Sequence, residues 1–355
     1  MESAGPLRNP AEELLGLVVN TDWKVAAKLH RPPGATGGQF SVGYIVENSS
    51  GHKAFLKALD YSKALRSEDP AKVLQGMTEA FNFERNILGQ CKHHRLDRVV
   101  FAIDEGKISL PEWPFPVQFL IFDLAETDIR SLQKVGQAFD LAWTLRSLHQ
   151  IAVGIWQLHK HDIAHQDLKP SNILVFKDDQ MKLADLGRAE CKNLIAPHST
   201  CTIAGARPYA PPELLYGEIS SDWECRRFGC DLYHLGSMVV FFFCGIQMTA
   251  ILKSKLHPNH IWTMWAASYR DALPYVRDAF ERALEEISVS IPTQIRTDVI
   301  IIIKQLCEPD PLLRGHPENR IGHTSPYSVE RYISFFDLYA RKAELGLLKS
   351  ISNGN

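Results

Sequence analysis

The stretch His165-Gln-Asp-Leu-Lys-Pro-Ser-Asn172 decides how this chain is interpreted. The apolar run Ile173-Leu-Val175 follows it directly, and Asp185-Leu-Gly187 begins 18 residues after Asp167. A third segment, Gly205-Ala-Arg-Pro-Tyr-Ala-Pro-Pro-Glu213, comes later in the chain. Any one of these segments is common by chance, whereas their joint order and spacing are hard to obtain by accident.

Together the three segments resemble the signature set of the protein kinases, in which the catalytic loop H-R-D-L-x-x-x-N precedes D-F-G and A-P-E. The resemblance covers roughly residues 35–320 and is to a divergent member of the eukaryotic-type (Hanks-type) Ser/Thr kinases. It implies an α+β, bilobal fold with a small antiparallel-sheet N-lobe and a larger helical C-lobe. It also implies ATP and Mg²⁺ as cofactors and a protein as substrate.

The chemistry of phosphoryl transfer explains these residue types, because its catalysis is largely positioning and charge neutralisation. Asp167 is the expected base that orients the attacking hydroxyl and accepts its proton. Lys169 is expected to stabilise the charge that develops on the phosphate, and a lysine in D-L-K-P-x-N resembles Ser/Thr rather than Tyr kinases. Mg²⁺ is usually held by one or two protein oxygen groups plus phosphates, a role that fits Asn172 and Asp185.

The first lobe is expected to position the nucleotide. Lys57, in Ala54-Phe-Leu-Lys57, resembles the strand lysine of V-A-I-K that contacts the phosphates. Its expected partner is Glu84, whose Glu-x-x-Ile-Leu context matches the family helix, with Glu79 as the alternative.

Further nucleotide contacts follow from the resemblance. They are Gly37, Gly38 and Phe40 of the glycine-rich loop, Phe122, Asp123 and Leu124 around the hinge, Asp128, and Leu174. Backbone amides of the loop would cover the phosphates where side chains are missing. Phe122 is the expected gatekeeper, the next two residues offer backbone groups to adenine, and Asp128 is expected to reach the ribose.

Two distant positions support the helical lobe in this resemblance. Asp231, in Cys230-Asp-Leu-Tyr-His-Leu-Gly236, resembles the helix aspartate that braces the catalytic loop. Arg314, in Asp310-Pro-Leu-Leu-Arg314, resembles the arginine that pairs with the A-P-E glutamate, which is Glu213 here.

The nucleotide-binding strands depart from the family pattern at two positions. Ser41 stands where the last glycine of the loop is expected, and Phe55 replaces the usual alanine above adenine. Residues two apart on a strand share a face, so Phe55 should point the same way as Lys57. Its ring either crowds adenine or reshapes the pocket.

The catalytic lobe departs from the pattern as well. Gln166 stands where an arginine usually receives an activation-loop phosphate, so activity is expected not to depend on that pairing. Ala206 replaces a threonine, and one hydrogen bond to Asp167 and Lys169 is expected to be lost. Leu186 replaces the phenylalanine of D-F-G, which is a mild change in apolar packing.

Composition excludes several other classes of protein. The 355 residues include 39 Lys plus Arg and 41 Asp plus Glu, a net charge of −2 that argues against a nucleic-acid-binding protein. The 7 cysteines are odd in number and form no CxxC pair, which favours a reducing, cytoplasmic location. The longest apolar runs, Met238–Cys244 and Val299–Ile303, fall far short of the roughly 20 residues that a membrane span needs.

The patterning predicts a strand-rich first third and a helix-rich remainder. The predicted domains are an N-terminal extension at 1–30, the N-lobe at 31–124, the C-lobe at 125–345 and a tail at 346–355. Predicted strands are Ser41–Glu47, Lys53–Leu59, Val99–Ile103 and Val117–Leu124. Predicted helices are Ala11–Val19, 70–92, Leu141–His159, Cys230–Phe243 and Thr297–Leu306.

Two alternatives to an active protein kinase remain at this point. A pseudokinase acting as a binding scaffold is favoured by Phe55, Ser41, Gln166 and Ala206, but every metal and phosphate residue is retained. A small-molecule phosphotransferase of related fold usually shows H-G-D-x-H-x-x-N and lacks the Pro-Glu element with its arginine. The sequence leaves the oligomeric state open.

Overall fold

The protein is described from a computed structural model that covers residues 9–30, 41–111, 113–133, 139–322 and 325–348. The chain divides into two compact units. The first comprises the chain up to Arg95 with Val99–Glu126 and Phe176–Asp178, and the second comprises Leu96–Arg98, Thr127–Val175 and the chain from Asp179 onward. One unit is built on an antiparallel sheet and the other mainly on helices, which confirms the predicted α+β class.

The first unit is built on a six-stranded sheet in the order β1-β2-β3-β4-β6-β5, with every neighbouring pair antiparallel. Its strands are β1 (Val18–Val19), β2 (Trp23–Lys28), β3 (Ser41–Glu47), β4 (Lys53–Leu59), β5 (Ala102–Ile108) and β6 (Val117–Asp123). Side chains alternate between faces along a strand. Ala54, Leu56 and Ala58 of β4 are buried, whereas Phe55 and Lys57 lie on its half-exposed face.

The N-terminal region differs from the sequence expectation. The predicted helix Ala11–Val19 is wrong, because the chain forms only a 3-10 turn at Pro10–Glu12 and then strand β1. Gly16 lies between them with a φ of 84°, a left-handed conformation that ends any helix there. Residues that the sequence assigned to an extension at 1–30 therefore supply two strands of the sheet.

One long helix accompanies this sheet. The helices of the unit are α1 (Ser62–Leu65) and α2 (Pro70–His93). Asp69 caps α2 by accepting a hydrogen bond from the Lys72 amide at 3.1 Å, and Pro70 occupies the first turn, where its missing N–H costs nothing. The predicted helix over 70–92 is confirmed. The predicted strand Val99–Ile103 is displaced, since β5 begins at Ala102 with a register shift between Ala102 and Asp104.

Helices dominate the second unit. They are α3 (Ile129–Leu132), α4 (Leu141–His159), α5 (Pro212–Leu215), α6 (Trp223–Cys244), α7 (Met248–Lys255), α8 (Tyr269–Ser290), α9 (Arg296–Leu306) and α10 (Glu330–Glu344). Its short strands are β7 (Thr127–Asp128), β8 (Ile163–Ala164), β9 (Ile173–Phe176), β10 (Gln180–Leu183) and β11 (Glu190–Cys191). They form a sheet β10-β9-β7 and a pair β11-β8.

Close packing fixes α4 against β10. A Cβ atom added at Gly154 would lie 2.8 Å from Leu183 Cγ, so the missing side chain permits this approach. Asp140 caps the helix by accepting from the Trp143 amide at 2.9 Å. The segment that leaves α4 and passes through β8 carries the catalytic-loop motif.

Helix α6 forms the core of the second unit. Its residues from Phe228 to Phe242 are all buried, and it is capped at its C-terminus by Gly245, which has a φ of 74°. Within the part of the chain that the structure describes, no single helix has the length and apolar character to cross a bilayer. Only α6 and α7 taken together reach that threshold, and they are bent by 83° at their junction.

Candidate active site

In the first unit the strand lysine has an acidic partner. The Lys57 ammonium lies 2.7 Å from Glu84 Oε1, and both side chains are largely buried. Strand β4 supplies the lysine and α2 supplies the glutamate. Glu79, the alternative partner in the sequence analysis, instead accepts a hydrogen bond from Gln75 on the exposed face of α2. Of the two predicted partners, Glu84 is therefore the one that pairs with the Lys57 ammonium.

The predicted base lies in a buried loop of the second unit. Asp167 accepts hydrogen bonds from Lys169 Nζ at 2.6 Å and from Asn172 Nδ2 at 3.3 Å on its Oδ2 atom. The Ala206 amide donates to its Oδ1 atom at 2.7 Å. The hydrogen bond expected to be lost at Ala206 is therefore partly compensated, because the backbone amide donates to the carboxylate in place of the missing hydroxyl. Asp167 is held as an oriented carboxylate.

Asp231 of α6 fixes the backbone that carries this loop. Its carboxylate accepts from the amides of His165 at 2.7 Å and Gln166 at 2.8 Å, and His159 Nε2 lies 2.9 Å away. Burial opposes ionisation of Asp231, but the hydrogen bond to His159 and the electrostatic interaction with the neighbouring histidines hold its pKa below the usual value. The ring of His165 is fully buried and contacts the carbonyl of Ala184 at 3.1 Å.

The two predicted metal ligands are brought near each other through the backbone. The Ala184 amide donates to the Asn172 carbonyl at 2.9 Å, which sets Asp185 beside the catalytic loop. Asn172 uses its Nδ2 atom to donate to the Asp167 carbonyl at 2.8 Å, so its amide oxygen is the end turned away from that carbonyl. Asp185 is half-exposed and adopts a left-handed backbone with a φ of 63°.

This donor set fits magnesium. Among the described residues no group of three or more His, Cys, Asp or Glu side chains could hold a metal ion alone. Mg²⁺ is usually held by one or two protein oxygens and completes its octahedron with phosphate oxygens and water. An amide oxygen from Asn172 and a carboxylate from Asp185 are donors of that type, so the ion would depend on a bound nucleotide for its other ligands.

A second buried network, which the sequence analysis did not foresee, surrounds Gln166. Arg227 of α6 donates to Gln166 Oε1 at 3.2 Å and lies 2.8 Å from Glu190 Oε1. The same guanidinium donates to the Ser199 carbonyl at 3.2 Å, and Arg226 donates to the Cys201 carbonyl at 2.9 Å. The segment after Asp185 is thus tied to α6. The one signal in the sequence was the neutral Gln166, which stands where the family usually has an arginine. The arginine of this network, Arg227, comes from α6.

The predicted pairing of the Pro-Pro-Glu element is present. Arg314 makes two parallel hydrogen bonds to Glu213, each 2.7 Å long, and donates to the carbonyls of Gly229 and Glu308. Burial alone would lower the pKa of Arg314, but its pairing with Glu213 raises that pKa above the usual range. A bidentate arginine–carboxylate pair of this kind fixes orientation as well as charge.

The remaining predicted contact residues that the structure describes are divided between its two units. Phe122 is nearly buried on β6, Asp123 pairs with His52 at 3.8 Å, and Leu124 is 37% exposed. In the second unit Asp128 caps α3 by accepting from the Ser131 amide at 2.9 Å, and it pairs with Leu174 across β7 and β9. Gly37, Gly38 and Phe40 lie outside the described residues.

Comparison with known proteins gives consistent matches. The sequence pattern described as "Protein kinase domain" matches residues 36–324. Cell division control protein 2 homolog 3 of Trypanosoma brucei brucei is 37% identical over 278 residues, which are 76% of this chain and 83% of that protein. Cyclin-dependent kinase-like 2 of Mus musculus is 30% identical over 290 residues, which are 77% of this chain and 46% of that protein.

A plant receptor shows a shorter match. LysM domain receptor-like kinase 10 of Oryza sativa subsp. japonica is 31% identical over 206 residues, which are 54% of this chain and 32% of that protein. The chain therefore spans about a third of the rice protein and less than half of the mouse protein.

Proposed function

Because the chain belongs to the protein kinase family, we propose that it is an ATP-dependent serine/threonine protein kinase that phosphorylates hydroxyl groups of a protein substrate. The observation that carries this proposal is the buried loop in which Lys169 and Asn172 both lie within hydrogen-bond distance of Asp167. A scaffold protein has no need to hold a carboxylate, an ammonium and an amide together in this way.

Asp167 is the base of the proposed reaction. The substrate hydroxyl oxygen attacks the γ-phosphorus of ATP, the bond from that phosphorus to the bridging oxygen of ADP breaks, and Asp167 takes the hydroxyl proton. Lys169, 2.6 Å from Asp167, supplies positive charge where the phosphoryl group passes. The Ala206 amide holds the other carboxylate oxygen, so the orientation of Asp167 is fixed before substrate arrives.

The nucleotide phosphates require additional cations. Lys57 is the proposed phosphate ligand of the first unit, and Glu84 pairs with its ammonium and orients it. Asn172 and Asp185 would hold Mg²⁺, which when bound neutralises charge on the phosphate oxygens. We propose that Phe122, Asp123, Leu124, Asp128 and Leu174, with Gly37, Gly38 and Phe40 of the glycine-rich loop, complete the nucleotide contacts.

Several features favour a protein hydroxyl as acceptor. The loop lysine Lys169 is typical of Ser/Thr kinases in the resemblance, and the Glu213–Arg314 pair belongs to the element that small-molecule phosphotransferases of related fold usually lack. Two relatives are named as a cell division control protein and a cyclin-dependent kinase-like protein.

All 7 cysteines lie in the described ranges as free thiols, which supports a reducing compartment such as the cytoplasm.

The test is transfer of label from γ-labelled ATP in the presence of Mg²⁺. The full chain is incubated with a generic protein substrate, and phosphoamino acids are separated after hydrolysis. Asp167→Asn is the catalytic variant, and Asp278→Asn, an exposed aspartate of α8, is its matched control. We expect phosphoserine or phosphothreonine with wild type and Asp278→Asn, and none with Asp167→Asn.

Other results would contradict parts of the proposal. Label found only on phosphotyrosine would overturn the Ser/Thr assignment, and label found only on small molecules would indicate a small-molecule phosphotransferase. Absence of any transfer by a folded wild-type protein would indicate a scaffold. Activity that survives both chelation by EDTA and Asp185→Ala would remove magnesium from the mechanism.

A further inference from the structure

Phe55 and Gly43 are packed as a pair on the half-exposed face of the first unit's sheet. In the pairing of β3 with β4, Gly43 lies opposite Lys57 and Ile45 lies opposite Phe55. Directly opposed residues of an antiparallel pair share a face, and so do residues two apart on one strand. Lys57, which the proposed function assigns to the nucleotide phosphates, thus stands beside Phe55 and across from Gly43.

The ring of Phe55 occupies the space above Gly43. A Cβ atom built on Gly43 would lie 2.9 Å from Phe55 Cε2, a separation that real Cβ atoms essentially never show, and 3.3 Å from Cζ. Gly43 has no positive φ and sits within a regular strand, so its backbone does not require glycine. Glycine in a strand interior weakens the strand and often marks a close approach. Here the approaching group is the Phe55 ring.

This arrangement decides how the ring is presented. The ring extends along the sheet over the Gly43 backbone, and its second neighbour is Phe122, at 6.3 Å between ring centroids and an interplanar angle of 30°. Phe55 itself is only half-buried, so part of its surface is accessible. The same face therefore offers a flat aromatic surface and, two residues along β4, an ammonium group.

We propose that Phe55 is the residue against which the nucleotide base stacks, and that Gly43 is glycine in order to make room for its ring. The inference rests on the proposed function, since it takes Lys57 as a phosphate ligand. A base and its phosphates carry the two chemistries that this face presents, an aromatic surface and multiple negative charges. Bases gain affinity by stacking on aromatic side chains. In this account the bulky side chain aids nucleotide binding and does not obstruct it.

The experiment measures binding of MgADP to the full chain by calorimetry. Phe55→Leu keeps an apolar side chain but removes the aromatic face, and it should weaken binding by about tenfold, the order expected for one lost stacking contact. Phe55→Trp should bind within about threefold of wild type because it keeps an aromatic face. Phe335→Ala, at a half-buried ring on α10, is the control for loss of an aromatic side chain elsewhere.

Gly43 is tested by a double-mutant cycle. Gly43→Val alone should weaken binding, because its methyl groups would take the space of the ring. In a Phe55→Ala background the same change should have little effect or improve binding, since that space is then empty. Melting curves by circular dichroism establish that each variant is folded before its affinity is compared.

The outcomes separate this inference from the proposed function. Wild type that binds no MgADP and transfers no phosphate would overturn both. Wild type that binds MgADP, with folded Phe55→Leu binding equally or more tightly, would overturn the stacking role and leave the kinase proposal standing. Additive effects in the cycle would show that Gly43 does not serve the ring.

Discussion

Arg227 and Glu190 form a buried ion pair in which Arg227 Nη2 lies 2.8 Å from Glu190 Oε1. Burial lowers the pKa of Arg227 and raises the pKa of Glu190, so each charge depends on the other for its stability in the fold. The pair joins α6 to β11 and, through Gln166, to the catalytic loop. A carboxylate from the protein itself thus supplies negative charge to this part of the second unit.

Activity should be independent of phosphorylation in the segment that follows Asp185. Replacing Ser199, Thr200 and Thr202 together by alanine should leave phosphoryl transfer within about threefold of wild type, because the segment is tied to α6 through backbone carbonyls that the variant keeps. The measurement is the initial rate on a generic protein substrate, with phosphatase-treated wild type alongside. Complete loss of activity in the triple variant would refute this interpretation.

The ion pair itself gives a second prediction. Glu190→Gln leaves Arg227 buried without an anionic partner, and breaking a buried pair in this way typically costs about 3–5 kcal/mol. We expect a corresponding fall in the free energy of unfolding in urea, together with a loss of phosphoryl transfer. Glu281→Gln breaks an exposed pair with Lys304 and serves as the control, since such pairs contribute about 0–1 kcal/mol. Equal effects of the two variants would contradict the buried pairing.

Glu84 is predicted to act on catalysis through Lys57. Glu84→Gln removes the charge that orients the ammonium, and kcat/KM should fall on the order of 10²-fold, as misplaced catalytic groups commonly do. Glu79→Gln is a matched control on the same helix, because Glu79 is exposed to solvent and accepts a hydrogen bond from Gln75. A variant pair with equal kcat/KM values would show that the 2.7 Å contact has no catalytic consequence.

Much of this fold could be predicted because local chemistry agrees with the final structure. Three elements have the bounds that alternation, a turn and periodicity indicate, namely strands Ser41–Glu47 and Lys53–Leu59 and helix Leu141–His159. The predicted helix over Ala11–Val19 does not form, because one glycine at position 16 overrides an otherwise helical pattern. Here the backbone conformation, which side-chain periodicity does not report, decided the structure.

The catalytic loop was visible in the sequence for a different reason. Asp167, Lys169 and Asn172 lie within one short segment, so their contacts are nearly local. Arg227 and Glu190 are far apart in sequence and meet only because α6 and β11 pack together, so no local pattern marks them as a pair. The same holds for Gly43, whose lack of a side chain acquires meaning only from the register that sets Phe55 beside it.

His234 predicts how stability depends on pH. The side chain is buried in α6, and among the described residues its Nδ1 atom has no hydrogen-bond partner. Burial lowers its pKa to about 4, while Asp231 and Asp167 oppose that shift and His165 and Arg314 add to it. An unfolded histidine titrates near about 6.5. Between these two pKa values the unfolded chain binds more protons than the folded one. The contribution of His234 to the free energy of unfolding is therefore fully present above about pH 6.5 and is lost as the pH falls toward 4.

The loss should be on the order of 3 kcal/mol across that range, since each pKa unit corresponds to about 1.4 kcal/mol. His234→Leu fills a similar volume without a titrating ring, so its free energy of unfolding in urea should vary less between pH 4 and 6.5 than that of wild type. His93→Gln, at an exposed histidine at the end of α2, should follow the wild-type curve. If wild type and His234→Leu lose stability in parallel as the pH is lowered, the buried histidine is not the group that couples folding to protons, and the neutral state assigned to it is wrong.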